Sequence, residues 1–194
     1  SLKSDLFIIA EDIGDYAFSR CSAIPSVHIN NTVKNIGAKA FLECGDMEEL
    51  TFSENDELEI GVAAFMGCCR LRDVTVRGKI IGEEAFSTVG FDTLYVSFLQ
   101  NLTIDNSVKT IKDKAFYKCR FLRTINIGNS VDTIGFAAFE GTYSVKDTLT
   151  IPPSVKHIRF AAFSDCGMKY LELSPSLEII EGSTFYGCLN LKKV

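Results

Sequence analysis

The sequence predicts a repeat solenoid of the α/β or mainly β class with about eight coils. An Ile, four residues and a Phe recur eight times, a pattern called here the repeat phrase, and seven of the eight Phe follow an Ala. The pairs are Ile13–Phe18, Ile36–Phe41, Ile60–Phe65, Ile81–Phe86, Ile111–Phe116, Ile134–Phe139, Ile158–Phe163 and Ile180–Phe185. Successive Phe are 23, 24, 21, 30, 23, 24 and 22 residues apart, a period typical of stacked coils.

Each unit contains a short strand before the phrase. Ile125 and Ile127 alternate with polar residues, as expected of a half-buried strand. The same apolar pair recurs at Val27/Ile29, Leu50/Phe52, Val74/Val76, Leu149/Ile151 and Leu171/Leu173.

A second apolar step follows each strand and leads into the phrase. Val131 and Ile134 form one such step, and Ser130 before it suits a turn that hydrogen-bonds its own backbone. Gly follows the phrase Ile in five units, which predicts a tight bend. The Ala–Phe segment then packs inward as a turn or a single helical turn, so we expect the phrase Phe to be core residues.

Six of the seven cysteines stand three residues after a phrase Phe. They are Cys21, Cys44, Cys68, Cys119, Cys166 and Cys188. One equivalent position in successive coils predicts a small core residue, since a reduced Cys packs as an apolar side chain. An odd count and the absence of metal-ligand spacing argue against a disulfide framework and a metal site.

The repeat resembles the BspA-type leucine-rich repeat. That unit has a strand of the form L-x-x-I-x-I followed by S-V-x-x-I-G-x-x-A-F-x-x-C, which residues 122–127 and 130–139 match closely. The resemblance implies a right-handed leucine-rich-repeat superhelix with one parallel sheet of short strands. It also implies a surface or secreted protein linked to adhesion. The Cys position holds Val89 and Thr142 in two units.

Composition and motifs exclude several functional classes. The net charge of −5 and the absence of basic runs argue against a nucleic-acid partner. No apolar stretch approaches the ~20 residues of a membrane span. The N-terminus has no basic segment followed by an apolar one, so for an exported protein we expect the signal and anchor to lie outside this sequence. His28 and His157 lack a catalytic context, and no phosphate-binding or nucleophile motif occurs. We therefore expect no enzymatic activity and no cofactor.

One interval breaks the period. Phe86 and Phe116 are 30 residues apart, and both 94–96 and 102–104 could supply the regular strand. We predict that 102–104 lies in the main sheet and that 91–101 forms a bulge or extra hairpin carrying Tyr95 and Phe98. An inert loop insertion is the alternative to a contact site.

Outward strand positions are the surface a partner can touch. His28, Asn126 and Glu172 belong to a middle column of such positions, with Tyr95 or Thr103 between them, and Tyr170 belongs to a neighbouring column. The candidate contact residues are therefore His28, Tyr95, Phe98, Asn126, Tyr170 and Glu172. A merely solvated sheet face explains the Thr-rich columns equally well.

These observations favour a non-catalytic protein-interaction or adhesion domain of a cell-surface or secreted protein, with a protein or glycan ligand. A structural stalk is the alternative, and a hydrolase with its site on an inserted loop is a remote one. We expect residues 1–194 to form a single solenoid domain that is a fragment of a longer protein, because Val194 falls within the strand of a ninth unit. The oligomeric state and the ligand are not specified by the sequence.

Overall fold

The structure is a computed structural model that describes residues 5–88 and 96–193. All of its paired strands are parallel, and the chain winds as a solenoid in which each repeat phrase contributes one coil. No helix occurs in the two described ranges. The predicted repeat solenoid is confirmed, in its mainly β form.

One sheet runs through the whole stack, and we call it the short-strand sheet. Its eight strands, two residues each, are β2 (Asp12–Ile13), β4 (Asn35–Ile36), β6 (Glu59–Ile60), β8 (Ile80–Ile81), β10 (Thr110–Ile111), β12 (Thr133–Ile134), β14 (His157–Ile158) and β16 (Ile179–Ile180). Each strand ends at a phrase Ile, and Ile111 pairs with Ile81 on one side and Ile134 on the other. The invariant Ile therefore builds a ladder of its own.

The strands predicted from alternation form the other surface, which we call the strand face. They are β1 (Leu6–Ile8), β3 (Ser26–Ile29), β5 (Glu49–Phe52), β7 (Asp73–Val76), β9 (Asn101–Ile104), β11 (Thr124–Asn126), β13 (Thr148–Thr150) and β15 (Tyr170–Glu172). They pair in three groups, β1-β3-β5, β7-β9-β11 and β13-β15. The prediction of a single parallel sheet is therefore wrong. The described residues form two strand surfaces, and the predicted one, the strand face, is interrupted.

The number of residues between recurring positions is constant within the repeat phrase and varies between the strand face and the phrase. The phrase Ile and Phe are five residues apart in every unit. The distance from the inward strand residue to the phrase Ile varies, being ten from Leu50 to Ile60 and seven from Val74 to Ile81. The regularity of the stack therefore lies in the phrase, and the strand face varies around it.

The phrase Phe form a continuous column in the core. Neighbouring rings from Phe18 to Phe185 lie nearly parallel, with centroids 5.1 to 5.8 Å apart. The five predicted to be most buried, Phe41, Phe65, Phe116, Phe139 and Phe163, are at most 1 % exposed, which confirms that prediction. Such aromatic pairs contribute ~0.5–1.5 kcal/mol beyond the burial of their area.

The segment between the phrase Ile and Phe is a turn. The residue two before Phe has a left-handed φ of 51–57° in all eight phrases, which stops an α-helix from forming. These residues are Tyr16, Lys39, Ala63, Glu84, Lys114, Ala137, Ala161 and Ser183. Of the two forms that the sequence allows, the structure has the turn.

The glycines after the phrase Ile permit close approach between coils. A Cβ on Gly82 would lie 2.3 Å from the carbonyl oxygen of Ile60, and one on Gly135 would lie 2.5 Å from the carbonyl carbon of Lys112. Neither glycine has a positive φ, so the predicted tight bend is not what requires them. Gly14, in the first phrase, has no neighbour within 4 Å.

The irregular interval rejoins the stack earlier than predicted. β9 pairs with β7 and β11, so the placement of residues 102–104 in the strand face is confirmed. The N–H of Phe98 donates to the carbonyl of Cys69 at 3.0 Å, and that of Gln100 donates to Arg72 at 2.7 Å. Residues 97–101 therefore belong to the stack, which corrects that part of the predicted bulge. Residues 91–95 of the predicted bulge lie outside the described ranges.

Candidate functional site

The middle column of the strand face follows the predicted order. Strand pairing places Phe7, His28 and Thr51 in one group, Thr75, Thr103 and Asn126 in the next, and Thr150 and Glu172 in the last. Of the two residues that the sequence allows between Thr75 and Asn126, the structure places Thr103 in the column. Tyr95, the other one, lies outside the described residues.

Side chains in this column are linked to their neighbours. His28 Nδ1 lies 2.7 Å from Thr51 Oγ1, and the ring of Phe7 stacks on His28 with centroids 4.5 Å apart. Further along, Thr150 Oγ1 donates to Glu172 Oε2 at 2.8 Å. Because these contacts fix the rotamers, a partner that binds here meets a largely ordered polar surface.

The neighbouring column contains a second chain of hydrogen bonds. Asn101 Nδ2 donates to Asp73 Oδ1 at 2.6 Å, and Thr124 Oγ1 donates to Asn101 Oδ1 at 2.7 Å. Thr148 and Tyr170 continue the column in the last group of strands, and the Tyr170 side chain is exposed. The carboxylate of Asp73 is thereby held in one orientation.

The predicted contact residues do not converge on one point. His28, Asn126 and Glu172 share a column but belong to three different groups of strands. Strands in a sheet lie ~4.8 Å apart, so these three residues are spread along the stack. Tyr170 lies in the adjacent column, two residues before Glu172. An extended surface, rather than a single pocket, is what these positions can offer.

Phe98 lies within the stack of coils and not on a segment that projects from it. Its ring is 45 % exposed and stacks on Phe121, also exposed, with centroids 5.3 Å apart and planes inclined by 18°. The sequence analysis did not identify Phe121 as a contact residue, although Phe121 precedes Leu122 as Phe98 precedes Leu99. Such an exposed aromatic pair is a candidate contact site.

A groove of about 620 Å³ opens beside Phe98, and we call it the Phe98 groove. It is lined by Glu48, Glu49, Arg70, Arg72, Asp73 and Phe98. It lies where the strand face is interrupted between β5 and β7. The sequence alone predicts that Glu48 and Glu49 are solvated surface charges. It gives no signal that Arg70 and Arg72 belong to a site.

Some charged side chains of the Phe98 groove form ion pairs and others do not. Arg70 lies 3.2 Å from Asp46 and 3.5 Å from Glu48. Among the described residues, Arg72 and Glu49 form no ion pair, and Asp73 is bonded to the Asn101 amide. The groove therefore offers hydrogen-bond acceptors and a guanidinium donor that are still available to a ligand.

The six cysteines at the repeat position are free thiols that occur at one equivalent place in successive coils. The thiols of Cys44, Cys68, Cys119 and Cys188 each donate to the carbonyl of the phrase Phe one coil earlier, at 3.0 to 3.4 Å. Burial raises the pKa of Cys44 to about 11 and that of Cys119 to about 12. These thiols are therefore hydrogen-bond donors as well as the small apolar residues that the sequence predicts, and they are poor nucleophiles.

Within residues 5–88 and 96–193, no three His, Cys, Asp or Glu side chains are grouped so that they could hold a metal ion. In those ranges there is also no helix with the length and apolar character that crossing a bilayer requires.

Sequence comparison identifies the repeat type. The family described as the BspA type leucine rich repeat region, in six copies, matches residues 6–98 and 87–194. No curated protein has significant sequence similarity to the chain.

Solved structures with related folds are bacterial leucine-rich repeat proteins. The T. pallidum leucine rich repeat protein is 28 % identical, with a TM-score of 0.54, over 70 % of this chain and 61 % of its own. A leucine-rich repeat protein from Bacteroides ovatus is 22 % identical, with a TM-score of 0.46, over 97 % and 62 %. A leucine rich cell surface protein from Faecalibacterium prausnitzii is 21 % identical, with a TM-score of 0.39, over 98 % and 74 %. The chain thus spans less than two thirds of the length of the first two.

Proposed function

Because the chain belongs to the BspA type leucine-rich repeat family, we propose that it is a non-catalytic repeat domain that binds a protein partner through the strand face. The observation that carries this proposal is the ordered polar surface along β3 to β15. Its side chains are joined by hydrogen bonds, as at His28–Thr51 and Thr150–Glu172, so little conformational entropy is lost on binding. Solenoids commonly use such extended surfaces for recognition.

We further propose that the domain acts in adhesion at the cell surface or in secreted form. Membership of the BspA type leucine-rich repeat family supports this location, because the family resemblance implies a surface or secreted protein. The unbroken short-strand sheet from Asp12 to Ile180 supports a single domain over the chain. His28, Asn126, Tyr170 and Glu172 are the proposed contact residues of the strand face.

Binding to a panel of extracellular-matrix and cell-surface glycoproteins, measured by surface plasmon resonance, tests the proposal. Asn126→Arg places a bulky charge in the middle column and should abolish binding. Asn35→Arg makes the same change in the short-strand sheet, where Asn35 bonds Asp12 at 2.6 Å, and should leave binding intact. Equal binding by both variants and the unaltered chain would show that the strand face is not the interaction surface, and absence of any partner would favour a structural stalk.

A further inference from the structure

We propose that the Phe98 groove binds a neutral carbohydrate, with a sugar ring packed on Phe98 and its hydroxyls hydrogen-bonded to Glu49, Arg72 and Asp73. This inference rests on the proposed interaction function, because it assigns a ligand class to one part of the same surface.

Phe98 is the aromatic residue of the groove lining, and its ring is held by contact with Phe121. Phe121 stacks on one side of Phe98, and Phe98 itself lines the groove. Phe98 is 45 % exposed, so part of its side chain is available to a ligand. Aromatic faces carry a negative quadrupole, which attracts the slightly positive C–H bonds on the flat face of a pyranose ring.

The polar lining supplies both kinds of hydrogen-bonding group. Carboxylates such as Glu49 and Asp73 only accept hydrogen bonds, whereas the guanidinium of Arg72 only donates. A sugar hydroxyl does both, so one hydroxyl can donate to a carboxylate and accept from Arg72. Asp73 is already oriented by Asn101 at 2.6 Å, which lowers the entropy that binding must overcome.

The balance of charge favours a neutral ligand over a charged peptide. Arg70 is paired with Asp46 and Glu48, which leaves Glu49 and Asp73 opposite Arg72. The lining contains three carboxylates and two guanidinium groups, so a charged ligand of either sign would meet like charges as well as opposite ones. Hydroxyl groups both donate and accept hydrogen bonds, so they match this mixed lining.

The size of the groove is also appropriate. Its volume of about 620 Å³ falls within the ~300–1,000 Å³ of small-molecule sites. An open groove beside the interruption between β5 and β7 gives lateral access, so a ring within a longer glycan could enter. We expect weak binding of single sugars and tighter binding of oligosaccharides.

The test is a titration of the ¹⁵N-labelled chain with free galactose, mannose, N-acetylglucosamine and chitotriose, followed by amide chemical shifts. We expect shifts confined to residues around 48–49, 70–73 and 97–98 for at least one sugar. Phe98→Leu keeps apolar contact with Phe121 but removes the ring, and should weaken binding at least ~10-fold. Phe98→Tyr should bind as before, and Glu49→Ala should bind more weakly.

Phe160→Leu is the matched control, because Phe160 is also exposed and stacks on another Phe, Phe136, at 6.1 Å. It should leave sugar binding unchanged. The inference fails if no sugar shifts the groove, if Phe98→Leu binds as well as the original chain, or if only charged peptides bind there. Loss of protein binding in Asn126→Arg without any sugar binding would leave the proposed interaction function standing and remove only this inference.

Discussion

The thiol of Cys119 donates a hydrogen bond to the carbonyl oxygen of Phe86, 3.4 Å away and one coil earlier in the stack. The same bond joins Cys68 to Phe41 and Cys44 to Phe18. Thr142 occupies the equivalent position in another unit, where its hydroxyl donates to the Phe139 carbonyl at 2.9 Å. A small side chain that donates a hydrogen bond to a core carbonyl therefore suits the position three residues after the phrase Phe, although Val89 shows that the donor is not required in every unit.

Thiol reactivity should differ sharply between the folded and unfolded chain. Burial raises the pKa of Cys68, Cys119 and Cys166, and the thiolate is the reactive form. A colorimetric thiol reagent should therefore leave these cysteines unmodified in the native protein. In denaturant without reductant, it should detect all seven cysteines. A count of three or fewer would show that disulfides join the coils.

Alkaline pH should destabilise the fold through the same thiols. The pKa of Cys44 rises from an ordinary 9.0 to about 11 in the folded protein, and that of Cys119 to about 12. Above pH 9 the unfolded chain loses these protons and the folded chain keeps them, so the free energy of unfolding falls as pH rises. Urea midpoints measured from pH 8 upward should decrease, and less steeply in Cys44→Ser/Cys119→Ser. An identical slope in both proteins would contradict the assignment.

Truncation of the central Phe column should be severe. Phe116 is fully buried between Phe86 and Phe139, with ring centroids 5.3 and 5.2 Å away. Phe116→Ala should lower the free energy of unfolding by ~3–5 kcal/mol, measured by urea denaturation. Phe185→Ala, in the partly buried last ring, should cost less. A loss below ~1 kcal/mol for Phe116→Ala would refute the core assignment.

Two glycines in equivalent positions should respond differently to the same substitution. Gly82→Ala would place a Cβ 2.3 Å from the Ile60 carbonyl oxygen and should destabilise the protein by ~1–3 kcal/mol. Gly14→Ala meets no atom within 4 Å and should be neutral or stabilise by up to ~1 kcal/mol. Thermal unfolding of the two variants measures the contrast. Equal effects would mean that coil spacing does not explain the glycines.

Much of this fold is predictable because the repeat phrase has the same internal spacing in every unit. The constant gap between Ile111 and Phe116, repeated in every unit, requires one stack of coils and one column of core rings. The short-strand sheet was missed for a physical reason. A two-residue strand such as Thr110–Ile111 is too short to show alternation, so its pairing is visible only once the coils are stacked.

The candidate site was less predictable because its parts come from several coils. The middle column with His28 and Asn126 follows from alternation, since side chains on a strand point to opposite sides. The Phe98 groove combines Glu49, Arg72 and Phe98 from three successive units, and its shape depends on where the strand face is interrupted. The change in spacing from Leu50–Ile60 to Val74–Ile81 coincides with that interruption, but it does not show which side chains line the gap.

The irregular interval has a practical consequence for engineering. The rings of Phe86 and Phe116 lie 5.3 Å apart although 30 residues separate them, nearly the same distance as for neighbours 23 residues apart. Additional chain between Thr88 and Phe98 therefore leaves the core column undisturbed. Since the entropy of closing a loop grows only slowly with its length, a foreign peptide epitope inserted at this point should be displayed without loss of the scaffold.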